Sequence, residues 1–579
     1  MICSESERSP VRWNFPTTDA LGADALATDL GISAPAARVL WNRGFRDPEQ
    51  ARRFLEPSLD DLHDPFLLAG MRDAVERILR AIEHKQSILL YGDYDVDGTS
   101  AVVILKKGIE LLGGSASFHV PHRLRDGYGM RSEVVEAAAA AGVKLIVSVD
   151  TGIRANEVVR HASTLDIDVV VTDHHLPETE LPPAVAVLNP NRPDCGYPEK
   201  NLCGAGVAFK LVDALLRSSG WENAKRERLM ESLMKMAAIA TVADVVPLTG
   251  ENRVIVKRGL DGLRKVNNPG LRALLDVSGL TEGDVPSAGQ VAFRVAPRIN
   301  AAGRMASASD VIELFLTSDP VRARELAGQL HDLNQTRQQT EKEVARAIFE
   351  QCIEQPVTGD EAALVFAAEG WHRGVVGIVA SRVVERFHRP VFVLGLENGV
   401  AQGSGRSIPA FHLLEALETM PELFSKFGGH RQAAGVTLAA EHVEEFRIRL
   451  RMHAAERLTP ADFEAVLQID SEIDFREISD DVVADVFRLG PFGFGNPSPV
   501  FVARDVEVVA PPDVRNDKHV FLRLKSQQRI FRAKAWNFAA RAADLPMGAR
   551  IDIAFQFEDD PYSANRGYAP CQIILKDVR

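Results

Sequence analysis

Short apolar runs alternate with amphipathic stretches through the first half of the chain. Residues 87–91, 145–149 and 169–172 have the length and the unbroken apolar character of strands that are buried on both faces. Helical patterns such as 132–141 and 205–217 lie between and beyond these runs. This alternation predicts an α/β fold with a mostly parallel sheet, in which ligands bind outside the carboxyl ends of the strands.

A single long helix is predicted over residues 321–354. Leucines near its start and Val344 and Ile348 near its end are apolar, whereas residues 334–340 between them are polar. A helix that is apolar at both ends and solvated in its middle is typical of a bridge between two domains. A coiled coil fits less well because the heptads break.

The rest of the chain predicts three further parts. A small helical segment precedes the parallel sheet, a smaller mixed α/β domain follows the long helix, and short alternating segments at the end predict an all-β barrel of the OB type, with a hairpin at 519–525 and 529–536. The resulting division has a helical segment at 1–55, a first α/β domain at 56–320, the bridging helix at 321–355, the second α/β domain at 356–460 and the barrel at 461–579.

Composition narrows the class of protein. Hydrophobic residues make up 46% and charged residues 25% of the chain, as in ordinary globular proteins, which excludes a disordered chain. No apolar run approaches the ~18 residues of a membrane span, and the N-terminus lacks the basic-then-apolar order of a signal peptide. The five cysteines are scattered without a Cys-x-x-Cys pair, which disfavours a thiolate zinc site and suits a reducing compartment. We therefore expect a cytoplasmic protein without a membrane partner.

The net charge of the chain bears on its partners. A value of −13 disfavours a protein that coats nucleic acid through its overall field, but it allows a polyanion to bind in one local cleft. An excess of carboxylates is also what a site for hard divalent cations needs.

The most informative motif follows the first of the predicted sheet strands. Residues 92–98 read Gly-Asp-Tyr-Asp-Val-Asp-Gly and place Asp93, Asp95 and Asp97 at alternate positions. Crowded carboxylates require neutralisation, which divalent cations supply. A solvated turn remains an alternative, but an EF-hand is excluded because its twelfth position would be Ile104 rather than glutamate and because a strand precedes the loop.

Similar groups end two other predicted strands. Asp150 ends one apolar run, Asp173-His174-His175 ends the next, and Asp244 interrupts an apolar stretch further along the chain. For Asp244, a helix cap or a salt bridge remains an alternative to a metal ligand. Oxygen and imidazole ligands without thiolates suit Mn²⁺ or Mg²⁺ better than Zn²⁺, and the number of carboxylates predicts two ions of the kind that assist phosphoryl transfer.

These motifs resemble those of the DHH phosphoesterase superfamily in their order, spacing and position. The resemblance implies a set of metal ligands, which are Asp93, Asp95, Asp97, Asp150, His174 and Asp244. It implies that Asp150 bridges two Mn²⁺ or Mg²⁺ ions. It also implies a catalytic group made of Asp150, Asp173, His174 and His175, with Asp173 and His175 beside the ligands or at the scissile phosphate.

Motifs in the second half resemble the DHHA1 domain and narrow the resemblance to the RecJ family. The segments concerned are 403–407 (Gly-Ser-Gly-Arg-Ser), 428–435 (Gly-Gly-His-Arg-Gln-Ala-Ala-Gly), 297–305 and 121–129. RecJ proteins are 5′→3′ exonucleases of DNA repair and recombination that degrade single-stranded DNA to mononucleotides, so the resemblance implies this activity. It also implies single-strand-binding protein and a helicase as partners, and we expect a monomer.

The resemblance extends to substrate-binding residues. It implies that Ser404 and Arg406, together with Arg123, hold the 5′-phosphate, and that further contacts to the strand come from Arg298, Asn300 and Arg304. His430 is a further candidate for contact with a base or with the scissile phosphate, and a role in holding its own loop remains the alternative. The glycines beside Ser404 would let backbone N–H groups approach a phosphate closely, although a plain turn with a surface arginine remains an alternative.

The predicted barrel is locally basic within an acidic chain. Phe521, Phe531 and Trp536 interleave with cationic side chains, namely Arg515, Lys518, His519, Arg523, Lys525, Arg529, Arg532 and Lys534. This mixture suits contact with a single strand of nucleic acid. Ordinary strand alternation, with Leu522 and Leu524 in the core and charges outside, is the alternative.

Two other functions stay open. A DHH/DHHA1 phosphodiesterase of short RNA or cyclic dinucleotides would need the core domains alone, and the additional helix and barrel argue against it. A catalytically silent DHH scaffold would have no need to hold so many carboxylates together.

Overall fold

The computed structural model describes residues 11–123, 125–127, 129–358, 361–559 and 571–579. The described chain divides into two compact units. The parallel-sheet unit comprises Arg52–Thr336 and Leu489–Pro497, and the barrel-containing unit combines residues up to Ala51 with Arg337–Arg488 and Ser498–Arg579.

Helices and strands alternate over the first third of the chain, as the hydrophobic pattern predicts. The strands of this stretch are β1 (Arg12–Asn14), β2 (Ser87–Tyr91), β3 (Ser115–His119), β4 (Val143–Val149), β5 (Asp168–Thr172) and β6 (Ala186–Leu188). Its helices are α1 (Ala20–Leu30), α2 (Ala34–Asn42), α3 (Pro48–Leu55), α4 (Met71–Glu83), α5 (Val96–Leu111), α6 (Ser132–Ala140) and α7 (Asn156–Thr164).

Helices fill the middle of the chain. They are α8 (Gly204–Ser218), α9 (Asn223–Ala243), α10 (Gly250–Gly262), α11 (Pro269–Val277), α12 (Ala288–Gln290), α13 (Ala296–Met305), α14 (Ser309–Leu316) and α15 (Pro320–Glu354). A π-helical turn, Val291–Val295, joins α12 to α13.

The last part of the chain again mixes both kinds of element. Its strands are β7 (Leu364–Glu369), β8 (Val391–Glu397), β9 (Val400–Arg406), β10 (Phe424–Gly429), β11 (Ala433–Ala439), β12 (Val466–Gln468), β13 (Ser471–Glu472), β14 (Phe501–Val508), β15 (Asp513–Arg515), β16 (His519–Ser526), β17 (Arg529–Ala535), β18 (Arg550–Asp559) and β19 (Cys571–Val578). Its helices are α16 (Val376–Phe387), α17 (Leu413–Glu418), α18 (Val443–Ala455) and α19 (Asp480–Arg488).

The sheet of the parallel-sheet unit determines where ligands can bind. It runs in the order β3-β2-β4-β5-β6 with parallel pairings, and the predicted strands at β2, β4 and β5 are confirmed to within two residues. The strands are apolar on both faces because α4, α5 and α8 pack on one side and α6 and α7 on the other. The strand order reverses between β2 and β4, so their carboxyl ends border the crevice of a topological switch point.

A buried ion pair connects several segments of this unit. Lys210 of α8 and Glu251 of α10 are both buried and in direct contact. Glu251 also accepts hydrogen bonds from the Tyr197 hydroxyl (2.6 Å) and the His63 backbone N–H (3.0 Å), while Lys210 donates to the His63 carbonyl (2.7 Å). Burial lowers the pKa of Lys210, and the Glu251 charge opposes this shift.

The long helix is confirmed as α15, but the prediction of a solvated middle is wrong at Asn334 and Arg337, which are buried. Glu341, just beyond this middle, is also buried, and its carboxylate lies 2.6 Å from Arg337 and 2.5 Å from Arg382 of α16. Arg337 and Glu341 therefore belong to an ion network of the barrel-containing unit and do not face water.

The second sheet and the barrel lie in the barrel-containing unit. The sheet runs β10-β11-β9-β8-β7, with β7 parallel to β8 and the other pairings antiparallel. In the barrel, β14, β18, β19, β17 and β16 follow one another, and a β14–β16 pairing closes the ring. The predicted OB-like barrel and its β16–β17 hairpin are therefore confirmed.

The N-terminal segment is helical in α1 to α3, but it also contributes a strand that the sequence analysis did not predict. β1 pairs in parallel with β12, and the Trp13 indole N–H donates to Asp577 at 2.7 Å. In the described residues, no helix combines the length and the apolar character that crossing a membrane requires.

Replacing one partner of the Lys210–Glu251 pair should cost more unfolding free energy than half of what replacing both partners costs. Lys210→Met leaves a carboxylate buried without its cation, and Glu251→Gln leaves an ammonium group without its anion, so each should cost about 3–5 kcal/mol of unfolding free energy. The double variant should recover part of this loss because no unpaired charge remains.

Urea denaturation of the four proteins measures this coupling, with Arg80→Met at the exposed Arg80–Glu76 pair as a control that should cost less than about 1 kcal/mol. Additive losses in the double variant would contradict the account.

Candidate active site

The loop after β2 places its carboxylates at the start of two helices. Asp95 precedes α5 and accepts a hydrogen bond from the Gly98 N–H at 3.0 Å. Asp97 is almost completely buried and accepts from the backbone N–H groups of Gly204 (2.6 Å) and Ala205 (2.8 Å), the first residues of α8. Helix N-termini stabilise anions through unpaired N–H groups and the helix dipole, so Asp97 is fixed in place.

Asp150 follows β4 in a strained backbone conformation. Its φ is +59°, in the left-handed region that non-glycine residues seldom adopt, and its side chain is buried. A Cβ atom on Gly204 would lie 2.5 Å from the Asp150 Cβ, so the start of α8 approaches this aspartate closely only because residue 204 is glycine. Strain of this kind is kept where a side chain must be aimed at a functional site.

The Asp-His-His motif after β5 divides into an anchor and two imidazoles. Asp173 is buried and accepts hydrogen bonds from the backbone N–H groups of Ile153 (2.9 Å), His174 (2.7 Å) and His175 (3.1 Å). It also lies 2.7 Å from the Nδ1 atom of His175. Burial acts to raise the pKa of Asp173, but the hydrogen bond and charge of His175, the Ile153 N–H and the His174 charge together hold this pKa below its usual value.

The same contact shifts the imidazole. Burial acts to lower the pKa of His175, but its hydrogen bond to Asp173 and the charges of Asp173, Asp97 and Asp95 raise it above the usual value. Asp173 therefore orients His175 and favours its protonated form, which is a positioning role.

Acidic residues that are far apart in the sequence come together around His174. Its Nε2 atom lies 3.2 Å from the nearer Asp150 oxygen and 3.7 Å from one oxygen each of Asp97 and Asp244. Asp244 caps the C-terminal end of α9, so this aspartate reaches the site from a helix, whereas Asp150 and His174 follow strands.

Three overlapping groups of ligand atoms result, each with its atoms within 4.8 Å of one another. The groups are Asp150-His174-His175, Asp97-His174-Asp244 and Asp93-Asp95-Asp150. Asp150 belongs to two of them and therefore lies where one carboxylate can bridge two cations.

The electrostatics of this cluster are unfavourable without a cation. Burial first, and neighbouring aspartates second, raise the pKa of Asp93, Asp95, Asp150 and Asp244, while burial lowers the pKa of His174. Among the residues that the structure describes, no hydrogen-bond donor reaches Asp93 Oδ1, Asp244 Oδ2 or His174 Nε2, although all three atoms are buried. Such convergent acceptors fit Mn²⁺ or Mg²⁺, because these ions prefer carboxylate oxygens and accept imidazole.

Two of the predicted substrate-binding arginines lie beside the carboxylate cluster. The Arg123 guanidinium lies over the Tyr94 ring, 5.0 Å from its centre, and its charge partly offsets the raised pKa of Asp93. Burial, then the Asp93 charge, raises the pKa of Tyr94 to about 12, and the charges of Arg123 and Arg304 oppose this shift. Arg304 is carried on α13, whose Gly303 would place a Cβ atom 2.5 Å from the Tyr94 carbonyl oxygen.

The other predicted residues of α13 lie earlier along that helix. Arg298 donates to Nδ1 of His331 (3.2 Å from Nε) and to the Arg294 carbonyl, and Asn300 is half-buried. In the 121–129 segment, Asp126 accepts from the His122 N–H at 2.7 Å, while Tyr128 lies outside the described residues.

In the barrel-containing unit, Ser404 and Arg406 lie on β9 and meet at the start of α16. Arg406 Nη1 lies 2.9 Å from Ser404 Oγ, and a Cβ atom on Gly377 would lie 3.1 Å from Arg406 Nη2 and 3.2 Å from Ser404 Oγ. A cationic fork, a hydroxyl and a helix N-terminus thus converge, which suits a phosphate.

The role that the sequence analysis gave to the glycines of this motif is wrong. Gly403 and Gly405 lie inside β9, which pairs on both sides with β8 and β11, so the segment is neither a turn nor a loop whose N–H groups surround a phosphate. They are glycines because Cβ atoms there would lie 2.0 Å from the Val393 carbonyl oxygen and 2.5 Å from the Phe392 ring.

His430 forms the tip of the β10–β11 hairpin. Its N–H donates to the Ala433 carbonyl at 2.8 Å, and its side chain is exposed. Burial of part of the ring, followed by the charge of Arg406, lowers the pKa of His430, which places the imidazole within electrostatic reach of the Ser404–Arg406 group.

The outer face of the barrel carries part of the predicted basic and aromatic set. Arg523 of β16 lies directly opposite Arg532 of β17, and the Trp536 ring lies 4.7 Å from His519 and 6.3 Å from Phe521. Like charges directly opposite one another in a sheet are unfavourable.

Other members of the set are structural. Phe531 is buried and packs edge-on against Phe475 at 5.0 Å, so its predicted stacking role is wrong. Leu522 and Leu524 are also buried, in agreement with core-in alternation at these positions. Lys534 pairs with Glu558 at 2.6 Å.

Two features of the carboxylate cluster were not predicted from the sequence. The backbone N–H groups of Gly204 and Ala205 hold Asp97, and the Arg123 guanidinium lies over the Tyr94 ring beside the cluster. A signal for the first existed in the paired glycines of residues 203–206, Cys-Gly-Ala-Gly, which begin a helix close to other backbone.

Three family profiles match the chain. The DHH family N-terminal domain matches residues 87–241, the DHHA1 domain matches residues 360–455, and the RecJ OB domain matches residues 469–577. Together they cover the parallel sheet, the second sheet and the barrel.

Curated relatives and solved structures agree with these profiles. The single-stranded-DNA-specific exonuclease RecJ of Bacillus subtilis (strain 168) is 37% identical over 98% of this chain and 71% of its own length. The RecJ protein of Dickeya dadantii (strain 3937) is 40% identical over 82% of this chain and 85% of its own. The crystal structure of RecJ in complex with Mn²⁺ from Thermus thermophilus superposes with a TM-score of 0.83 at 30% identity, over 98% of this chain and 79% of that one. With profile matches in three domains and identity along nearly its whole length, the chain belongs to the RecJ family of single-stranded-DNA-specific exonucleases.

Proposed function

We propose that this chain degrades single-stranded DNA from its 5′ end to 5′-mononucleotides, by hydrolysis that depends on Mn²⁺ or Mg²⁺. The observation that carries the proposal is the convergence of Asp97, Asp150 and Asp244 on Nε2 of His174 at the switch point of the sheet. The RecJ relatives are single-stranded-DNA-specific exonucleases by name, and solved RecJ structures contain Mn²⁺ or Mg²⁺, which supports both the substrate and the cofactor.

The ligands that would hold the cations are the six carboxylate and imidazole residues of the cluster: Asp93, Asp95, Asp97, Asp150, His174 and Asp244. Asp150 occupies the shared position between two ligand groups, which supports a pair of ions with one bridging carboxylate. Bound cations would supply charge neutralisation at the phosphodiester oxygens and a lowered pKa for water. The protein groups fix the site beforehand, because Asp97 is held by two N–H groups and Asp150 by its close packing against Gly204.

His175 is the residue that we assign to proton donation. Its Nδ1 atom is engaged by Asp173, so Nε2 is the nitrogen that can donate to an oxygen of the scissile phosphate. Burial acts to lower the pKa of His175, but the hydrogen bond to Asp173 and the Asp173 charge raise it, which favours a ring that carries the proton to be donated. Hydrolysis then breaks the bond between phosphorus and the 3′-oxygen. The oxygen of water becomes bonded to phosphorus, and the 3′-oxygen receives a proton.

Capture of the terminal phosphate accounts for the 5′ polarity. Ser404, Arg406 and the start of α16 offer a hydroxyl, a guanidinium and backbone N–H groups to that phosphate. Each cut leaves a new 5′-phosphate on the remaining strand, so the product has the same recognition group as the substrate. Arg123 and Arg304 beside Tyr94 are suited to bind phosphates next to the cluster.

The proposed exonuclease function also extends to the role of the barrel, to the partners and to the location of the protein. We propose that the face with Arg523, Arg532 and Trp536 contacts the strand, since cations and aromatic rings together bind single-stranded nucleic acid. The proposal also includes a role in DNA repair and recombination, with single-strand-binding protein and a helicase as partners. It further includes a monomeric state, a cytoplasmic location and domain boundaries at residues 55, 320, 355 and 460.

Degradation of labelled DNA tests the proposal directly. On a 5′-phosphorylated single strand with Mn²⁺, label at the 5′ end should appear early as mononucleotide, whereas label at the 3′ end should stay in long fragments until late. A blunt duplex of the same sequence should be degraded far more slowly. Asp150→Asn should abolish release while keeping the size and the left-handed backbone that asparagine tolerates.

Two results would contradict it. Early release of the 3′ label would reverse the proposed polarity, and hydrolysis restricted to dinucleotides would favour a dinucleotide phosphodiesterase.

Replacement of Arg406 should remove the preference for a 5′-phosphate. Arg406→Ala should lower kcat/KM on 5′-phosphorylated strands by roughly 10- to 100-fold, as expected for losing one or two charge-assisted hydrogen bonds, with little effect on 5′-hydroxyl strands. Initial rates on the two substrates measure the ratio, with Arg457→Ala at an exposed position of the same unit as control. An equal loss on both substrates would show that Arg406 does not read the terminal phosphate.

A further inference from the structure

Phe293 is a large apolar side chain that the fold leaves in solvent. It is 82% exposed and lies in the π-helical turn Val291–Val295, whose residues Val291 and Val295 are buried. Single π-turns within helices occur frequently at functional sites. The turn therefore anchors two apolar side chains in the core while it presents a phenyl ring outward.

The charges next to this ring are cationic. Arg294 is exposed, and Arg298 follows four residues later, a spacing at which like charges on a helix repel each other. Within the described ranges, no carboxylate lies within ion-pair distance of either guanidinium, and Arg298 instead donates to His331 and to the Arg294 carbonyl. Burial, followed by the Arg294 charge, lowers the pKa of Arg298. An anion is the partner that this surface lacks.

The position of the ring relative to the carboxylate cluster follows from α13. Gly303 of that helix packs on the Tyr94 carbonyl, within the loop that supplies Asp93 and Asp95. Phe293 lies in the π-helical turn that leads directly into α13, three residues before Ala296. The part of α13 from Ala296 to Gly303 spans about 10 Å at a rise of about 1.5 Å per residue. A short continuous helical segment thus connects the loop of the metal ligands to the exposed ring, across a length of a few nucleotides of extended strand.

We propose that Phe293 is a stacking platform for a base of single-stranded DNA, a few nucleotides from the bond that is cut, with Arg294 and Arg298 on the neighbouring phosphates. The inference rests on the proposed function and adds a contact that selects the substrate. Aromatic rings bind any base by its face, and arginines bind the backbone, so the contact is independent of sequence. In a duplex the base faces are already stacked on one another, and therefore the same contact favours a single strand.

Because base–aromatic stacking contributes about 1–3 kcal/mol per base, Phe293→Ala should lower kcat/KM on a 5′-phosphorylated dodecathymidylate by roughly 10-fold, mainly through KM. The phosphorylated dinucleotide of thymidine is too short to reach the ring, so its kcat/KM should stay unchanged. Phe293→Tyr should retain activity on the dodecamer, and Phe293→Leu should lose it as Phe293→Ala does. Leu111→Ala, at an exposed position at the C-terminal end of α5, is the matched control and should have no effect.

A scan with single abasic sites locates the contact. In the unsubstituted protein, an abasic site at one particular nucleotide beyond the 5′-terminal one should lower kcat/KM as much as Phe293→Ala does. In the Phe293→Ala variant, an abasic site at that nucleotide should lower kcat/KM no further. Full activity of Phe293→Ala or Phe293→Leu on the dodecamer, or an equal loss on the dinucleotide, would overturn the stacking role. Failure of the unsubstituted protein to degrade either DNA would instead overturn the proposed function.

Discussion

Concentrated buried negative charge is the constraint on which the rest of the parallel-sheet unit depends. Asp93, Asp95, Asp150 and Asp244 each have a raised pKa because they are buried beside one another. Folding holds them together only at a cost, which the protein limits with the N-terminus of α8 at Asp97 and which cations would offset. The topology makes this convergence simple, since β2, β4 and β5 end at one edge of the sheet.

The two units carry different parts of the chemistry. Cation ligands, the positioned His175 and the Phe293 ring lie in the parallel-sheet unit, whereas Ser404, Arg406 and the barrel face lie in the other. Each part follows a familiar physical rule: acidic clusters bind divalent cations, guanidinium groups at helix ends bind phosphates, and exposed rings beside cations bind bases.

Much of this could be predicted from the sequence because the relevant signals are local. Apolar runs that end in aspartate identify strand ends, and their pairing in parallel brings the motifs together. The sequence could not show that Asp244 arrives from a helix end, that Gly403 and Gly405 lie within a paired strand, or that Phe531 is core. These outcomes depend on neighbours that are distant in the chain, such as Val393 for Gly403 and Phe475 for Phe531. The burial of Arg337 and Glu341 is a further example, because a polar side chain is expected to be exposed unless its buried ion-pair partner is known.

Titration calorimetry with Mn²⁺ in buffers of different ionisation enthalpy tests the central claim most directly. Cations must displace protons from carboxylates whose pKa is raised, so affinity should increase with pH and binding should release protons. The account predicts two Mn²⁺ ions per chain, with a loss of at least one ion and of part of the proton release in Asp150→Asn. Absence of Mn²⁺ binding, or the same stoichiometry and proton release in that variant, would contradict a cation site built on these carboxylates.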